Sequence, residues 1–120
     1  PAEWLDAAGL DAGRLADPQA LPALAALAAR LVEMARPYRR SARVGAARLP
    51  GRSRLAVLAA DAIYGTIGEK VLARGTHAWD ERVRVSGGGK ILLLGQAMLR
   101  SLSAPEATSR DGLWTRPRQP

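Results

Sequence analysis

LPGRSRLAVLAADAIYGTIGEKVLARGTHAWDERVRVSGGGKILLLGQAM, residues 49–98, decides the fold. It opens on a Leu49-Pro50-Gly51 stop. From Ser53 to Arg74, Leu55, Leu58, Ala59, Ala62, Ile63, Ile67 and Val71 recur at helical spacing, which predicts an amphipathic helix. Gly75 is its expected C-terminal stop. Within it Asp61, Tyr64 and Gly68 stand three and four apart and are expected to share one face. Thr76–Val85 is expected as an extended connector, because the alternating Arg82-Val83-Arg84-Val85 has no second strand to pair with. Ser86 is the expected cap of a last helix over Gly87–Leu102, with Lys90 as the alternative start after three glycines. Ile91–Leu94 are apolar on every side, which predicts burial between neighbouring helices.

Outward from this tract the reading stays helical. Pro1–Leu10 is expected as a short helix, with Pro1 suited to the first turn and Glu3 to the dipole. Asp11–Gln19 is expected as a loop. A long helix is expected over about Leu21–Ala47, where Leu24, Leu27, Leu31, Met34 and Tyr38 form an apolar stripe. Pro37 lies inside that pattern. It forfeits a backbone hydrogen bond and clashes one turn back, so a kink or break is expected near Glu33–Arg36. Residues 103–120 are rich in Ser, Pro, Arg and Gln and are expected as a flexible tail, with Trp114 as a docking point. No internal repeat is evident.

Composition points the same way. Of the 120 residues, 48% are hydrophobic but only 4% aromatic, and Phe is absent. Ala and Leu, the strongest apolar helix formers, must therefore supply most of the core, which favours an all-α chain over a sandwich or barrel. A chain of this length is one domain at most. With no cysteine, disulfides and thiolate metal sites are excluded, which fits a cytoplasmic protein. No apolar stretch approaches the ~20 residues a membrane-spanning helix needs. No signal peptide is visible, and because residue 1 is Pro rather than Met the natural N-terminus is expected to be missing or processed.

The net charge of +7 is uneven. Residues 1–35 carry five acids and two bases, whereas residues 36–54 carry seven arginines and no acid. Such a run can attract phosphate, anionic lipid or nucleic acid, or be only a solvated helix face. No helix-turn-helix, aromatic platform or zinc finger accompanies it, and no nucleic-acid partner is expected. Gly87-Gly88-Gly89-Lys90 is not a phosphate loop: Arg84 stands where the first glycine is needed, and Ile91 where Ser or Thr is needed. His77 is the single histidine and has no Cys or second His with which to hold zinc. Asp80 and Glu81 are adjacent and diverge on a helix or a strand, so no magnesium-binding carboxylate cluster is legible. Tyr64 reads as a packed helix aromatic or as a cavity residue. Arg82 reads as a surface charge or as a phosphate grip, since its planar fork stays charged.

The order of landmarks in 49–98 resembles the C-terminal third of the squalene/phytoene synthases: a Leu-Pro stop, a helix with central Tyr64, the Gly75 turn, Arg82-Val83-Arg84-Val85, and Lys90 before an apolar helix. PAEWLDAAGL at the start resembles the segment after that family's second aspartate-rich motif. Leu113-Trp114-Thr115-Arg116-Pro117 resembles the tail of the bacterial phytoene synthases within it. The chain departs from the family pattern at Gly87–Gly89 and at Pro37. The resemblance implies an all-α helical fragment of the isoprenoid synthase fold, with residues 1–102 as the C-terminal helical part of the domain. It implies a prenyltransferase that joins two prenyl diphosphates head to head, with geranylgeranyl diphosphate the expected substrate in carotenoid biosynthesis. It implies Mg²⁺ on the diphosphates, held by aspartates upstream of residue 1, so the chain by itself is expected to be inactive. Tyr64 then faces the substrate cavity, Arg82 contacts diphosphate, and N-terminal helices of the same domain complete the fold. The expected location is cytoplasmic, with peripheral contact at the inner membrane. Two other readings stay open: a squalene or presqualene diphosphate synthase fragment, and a non-catalytic basic helical module that binds anionic lipid or nucleic acid.

Overall fold

A computed structural model describes residues 2–103 and 109–113, and every regular element among them is helical. Helix α1, Ala2–Ala7, is shorter than the expected 1–10. Gly9 takes φ 66°, a conformation open to glycine, and closes the turn. The expected loop contains two short 3-10 turns, Ala12–Arg14 and Pro18–Ala20. Both are held by side-chain caps: Asp11 accepts from the Gly13 N–H at 2.9 Å and Asp17 from the Gln19 N–H at 3.0 Å. Trp4 of α1 lies under the Arg30 guanidinium of the next helix, 3.9 Å from its ring centre.

Helix α2 spans Leu21–Ala46 without interruption, and the expected break near Glu33–Arg36 is absent. Pro37 still lacks an N–H, but the turns around it are tied to the following helix by Arg36, Arg39 and Arg43. Those ties offset the local defect. Helix α3 spans Gly51–Arg74 and opens from an extended Pro50. It ends where expected: Gly75 has φ 54°, and its N–H donates to the carbonyls of Val71 and Leu72. The connector begins as a 3-10 turn, Gly75–Trp79, and continues without regular structure to Val85. Helix α4, Gly87–Leu102, starts at Gly87 and not at Lys90. Its cap explains why: Ser86 Oγ accepts from the Gly89 N–H at 3.2 Å, and a Cβ on Gly89 would stand 3.0 Å from Val85 Cγ1.

The three long helices form one antiparallel layer with α3 in the middle. Arg36 of α2 meets Glu69 of α3 while Arg43 meets Asp61, so the chains run in opposite senses. Arg54 near the start of α3 donates to the Ser103 carbonyl after α4, at 2.7 Å. The layer measures 46 × 42 × 18 Å, and its radius of gyration of 17.0 Å exceeds the ~14 Å of a rounded domain of this length. Its interior is thin: Ala46, Leu58 and Ala97 meet at the junction, flanked by Leu55 and Ala59.

This flatness overturns one expectation. Ile91, Leu92 and Leu94 are 74%, 65% and 49% exposed, not buried between neighbours. With Met98, Leu99 and Leu102 they form a broad uncovered apolar face. On α2 the expected stripe is likewise exposed at Leu31, Met34 and Tyr38. Helix α3 is met instead by Val32, Arg36, Arg39 and Arg43. At about 100° per residue these lie roughly 130° around α2 from the stripe. Charge pairing, not apolar content, selects the face that α2 turns to α3.

Candidate functional site

The arginine run resolves into named contacts. Arg36 donates to Glu69 at 3.0 and 3.1 Å and also to Glu33. The hydrogen bonds that Arg36 donates to Glu69, with Glu33 beside it, push its guanidinium further above its ordinary range. Arg39 Nε donates to Asp61 Oδ1 at 2.6 Å and its Nη2 to the Asp61 carbonyl at 3.0 Å. Arg43 Nε donates to Asp61 Oδ2 at 2.7 Å. The Asp61 side chain is only 7% exposed, so one buried carboxylate is shared by two guanidiniums. Arg54 is engaged at Ser103. Four of the seven arginines thus serve the helix packing, and Arg40, Arg48 and Arg52 are left to solvent. Sequence reasoning missed this cluster. Its signal was present: two arginines four apart on one helix, and on the next an acid, Asp61, that is the one charge between Arg54 and Glu69.

Arg39 lies directly over Gly65, so that a Cβ at this position would collide with Arg39 Nη2, Cζ and Nη1. The guanidinium is the movable end of its side chain, yet it is held by Asp61. Gly65→Ala should therefore displace Arg39 from Asp61 and lower stability by about 1–3 kcal/mol, the usual cost of overpacking. Thermal unfolding of the variant measures it; an unchanged midpoint would show that Arg39 relaxes without loss.

Asp61, Tyr64 and Gly68 lie within about 60° of one another around α3, as expected, but their surroundings differ. Asp61 is turned to α2, and a Cβ at Gly68 would stand 3.4 Å from Val32 Cγ2. Tyr64 stands at the edge of that arc and is 73% exposed. Its ring has no core to fill among the described residues. Arg82 lies in the connector, exposed, and makes no ion pair or hydrogen bond within the described residues. The backbone around it is anchored: Lys70 Nζ donates to the Arg84 carbonyl at 3.0 Å, and Val85 is buried. A fixed main chain thus presents an unengaged guanidinium. His77 is exposed with its Nδ1 2.9 Å from Asp80.

Between α2, α3 and α4 runs an open cleft of about 480 Å³. Arg39, Arg43, Lys70 and Arg100 line it, with Glu69 and Gln96. Neither Tyr64 nor Arg82 does. Among the described residues no group of three or more Asp, Glu, His or Cys could hold a metal ion. The carboxylates that stand close to the helices' interfaces are already engaged by arginine.

A family model described as squalene/phytoene synthase matches residues 1–88. The chain belongs to this family. The all-α architecture agrees with the isoprenoid synthase fold of the family. The chain is 44% identical to the 15-cis-phytoene synthase of Enterobacter agglomerans over 98% of its own length and 41% of that protein. It is 40% identical to the phytoene synthase of Pseudescherichia vulneris, covering 39% of it, and 40% identical to the 15-cis-phytoene synthase of Paracoccus sp., covering 38%. It therefore spans about two fifths of the length of the curated relatives it matches. No solved structure gives a significant match to the chain. Residues 104–108 and 114–120 are outside the described ones, so the expected tail over 103–120 and its Trp114-Thr115-Arg116-Pro117 motif lie mostly there.

Proposed function

We propose that this chain is the C-terminal part of a phytoene synthase-like prenyltransferase, which joins two geranylgeranyl diphosphates head to head, and that residues 1–102 are helices of its single catalytic domain. The observation that carries this reading is the 40–44% identity to phytoene synthases along 98% of the chain. The flat layer supports it. On this reading the uncovered apolar faces of α2 and α4, and the exposed Tyr64 ring, meet N-terminal helices of the same domain. Such helices would make a dry, apolar chamber, as carbocation chemistry requires.

In that chamber Arg82 contacts the substrate diphosphate. Its fork offers paired donors to phosphate oxygens and stays charged throughout, so it stabilises the negative charge that grows as the carbon–oxygen bond breaks. Tyr64 lines the cavity wall and offers its hydroxyl to the substrate. Mg²⁺ would neutralise diphosphate when bound, and on this reading its ligands are aspartates outside this chain. The protein is placed in the cytoplasm, in peripheral contact with the inner membrane that holds its apolar product. No helix among the described residues is long and apolar enough to cross a membrane.

Tyr64→Phe tests the reading. The hydroxyl of Tyr64 makes no hydrogen bond among the described residues, so its loss should leave the unfolding midpoint of the full-length protein unchanged. Turnover of geranylgeranyl diphosphate should fall about tenfold, the effect of removing one well-placed polar contact. Full activity with unchanged stability would remove Tyr64 from the cavity.

A further inference from the structure

We propose that the basic cleft between α2, α3 and α4 binds a phosphate group, and that it is a site separate from the Tyr64 face. Three features carry this. The first is charge: four cationic side chains line the cleft against one carboxylate, Glu69, and that carboxylate is already bound by Arg36. The second is preorganisation. Asp61 fixes Arg39 and Arg43 through their Nε atoms. Both terminal nitrogens of Arg43 and Nη1 of Arg39 are left without a hydrogen-bond partner among the described residues. Guanidiniums locked from behind by a buried acid lose little conformational freedom when an anion arrives. The third is location. The α3 residues that line the cleft, among them Gly65, Glu69 and Lys70, centre roughly half a turn around the helix from Tyr64, at about 100° per residue.

Several parts of the cleft suit one phosphate or diphosphate group. Its volume of about 480 Å³ falls in the range of small-ligand pockets. Arg100 approaches from α4 and has no partner among the described residues. Lys70 contributes a point charge while one of its donors holds the Arg84 carbonyl. Gln96 adds an amide, and Gly65 keeps the floor low under Arg39. An anionic phospholipid headgroup and a free phosphate share this chemistry. The proposal does not depend on the reaction assigned above, since no residue of that assignment lines the cleft.

The test uses the full-length protein on an Arg82→Ala background with chelator present, so that binding at the diphosphate contact or through a divalent cation is silent. Inorganic phosphate and pyrophosphate are titrated by calorimetry. In parallel, flotation is measured with phosphatidylcholine vesicles with and without phosphatidylglycerol. The expected result is saturable binding in at least one arm, weakened about tenfold or more by Arg100→Gln, in keeping with the loss of one charge-assisted contact. Because the Arg100 side chain has no partner to lose among the described residues, the unfolding midpoint of Arg100→Gln should not move; Arg43→Gln should weaken the same binding. Titration without flotation assigns the site to free phosphate, and phosphatidylglycerol-dependent flotation assigns it to a headgroup. Absence of binding in both arms overturns the proposal. So does binding that survives both Arg100→Gln and Arg43→Gln, which would place the anion elsewhere.

Discussion

Arg82→Ala in the full-length enzyme should lower kcat/KM by roughly ten- to a hundredfold with no change in thermal stability. The size follows from one charge-assisted contact to diphosphate, about 1.5–3 kcal/mol, with each ~1.4 kcal/mol a factor of ten. The unchanged stability follows from the structure, where the guanidinium has no partner to lose among the described residues. Arg82→Lys should restore only part of the rate, because an ammonium cannot present the paired donors of the fork. A contact made to diphosphate in both ground and transition states would appear in KM, and one that strengthens as the bond breaks in kcat. Wild-type kcat/KM in Arg82→Ala would return Arg82 to the status of a surface charge.

The largest loss of stability should come from Asp61→Ala. This carboxylate is nearly buried and holds both Arg39 and Arg43. Its removal leaves two guanidiniums facing each other in the α2–α3 interface. Breaking a fully buried pair costs about 3–5 kcal/mol. The arginine side chains here are 27% and 36% exposed, so water recovers part, and about 2–3 kcal/mol is expected. Glu69→Ala is the internal comparison. Its pair with Arg36 is 51% and 38% exposed and should contribute no more than about 1 kcal/mol. Equal denaturation midpoints for the two variants would mean that the Asp61 cluster does not hold the layer together.

Most of the helical pattern was legible from residue spacing and stop signals. Gly75 ends α3 and Ser86 caps α4 as their positions imply, because such termini are set by local geometry. Pro37 misled for the complementary reason: its penalty is local, but the contacts that hold α2 straight come from α3, which periodicity within α2 does not reveal. The apolar run Ile91–Leu94 was read as buried because its composition demands cover, yet the described helices provide none. For the candidate site, the assignment of Tyr64 and Arg82 rests on family landmarks alone. The Arg39–Asp61–Arg43 cluster needed the register between two helices, which fixes which charges meet.

Turnover of geranylgeranyl diphosphate, assayed with Mg²⁺ for the full-length protein and for residues 1–120 in parallel, tests the proposed function most directly. We expect the full-length protein to release diphosphate and form a C40 hydrocarbon, and residues 1–120 alone to release none above background, since the carboxylates among the described residues form no metal-binding group. Diphosphate release by residues 1–120 alone, or no C40 product from the full-length protein, would contradict it.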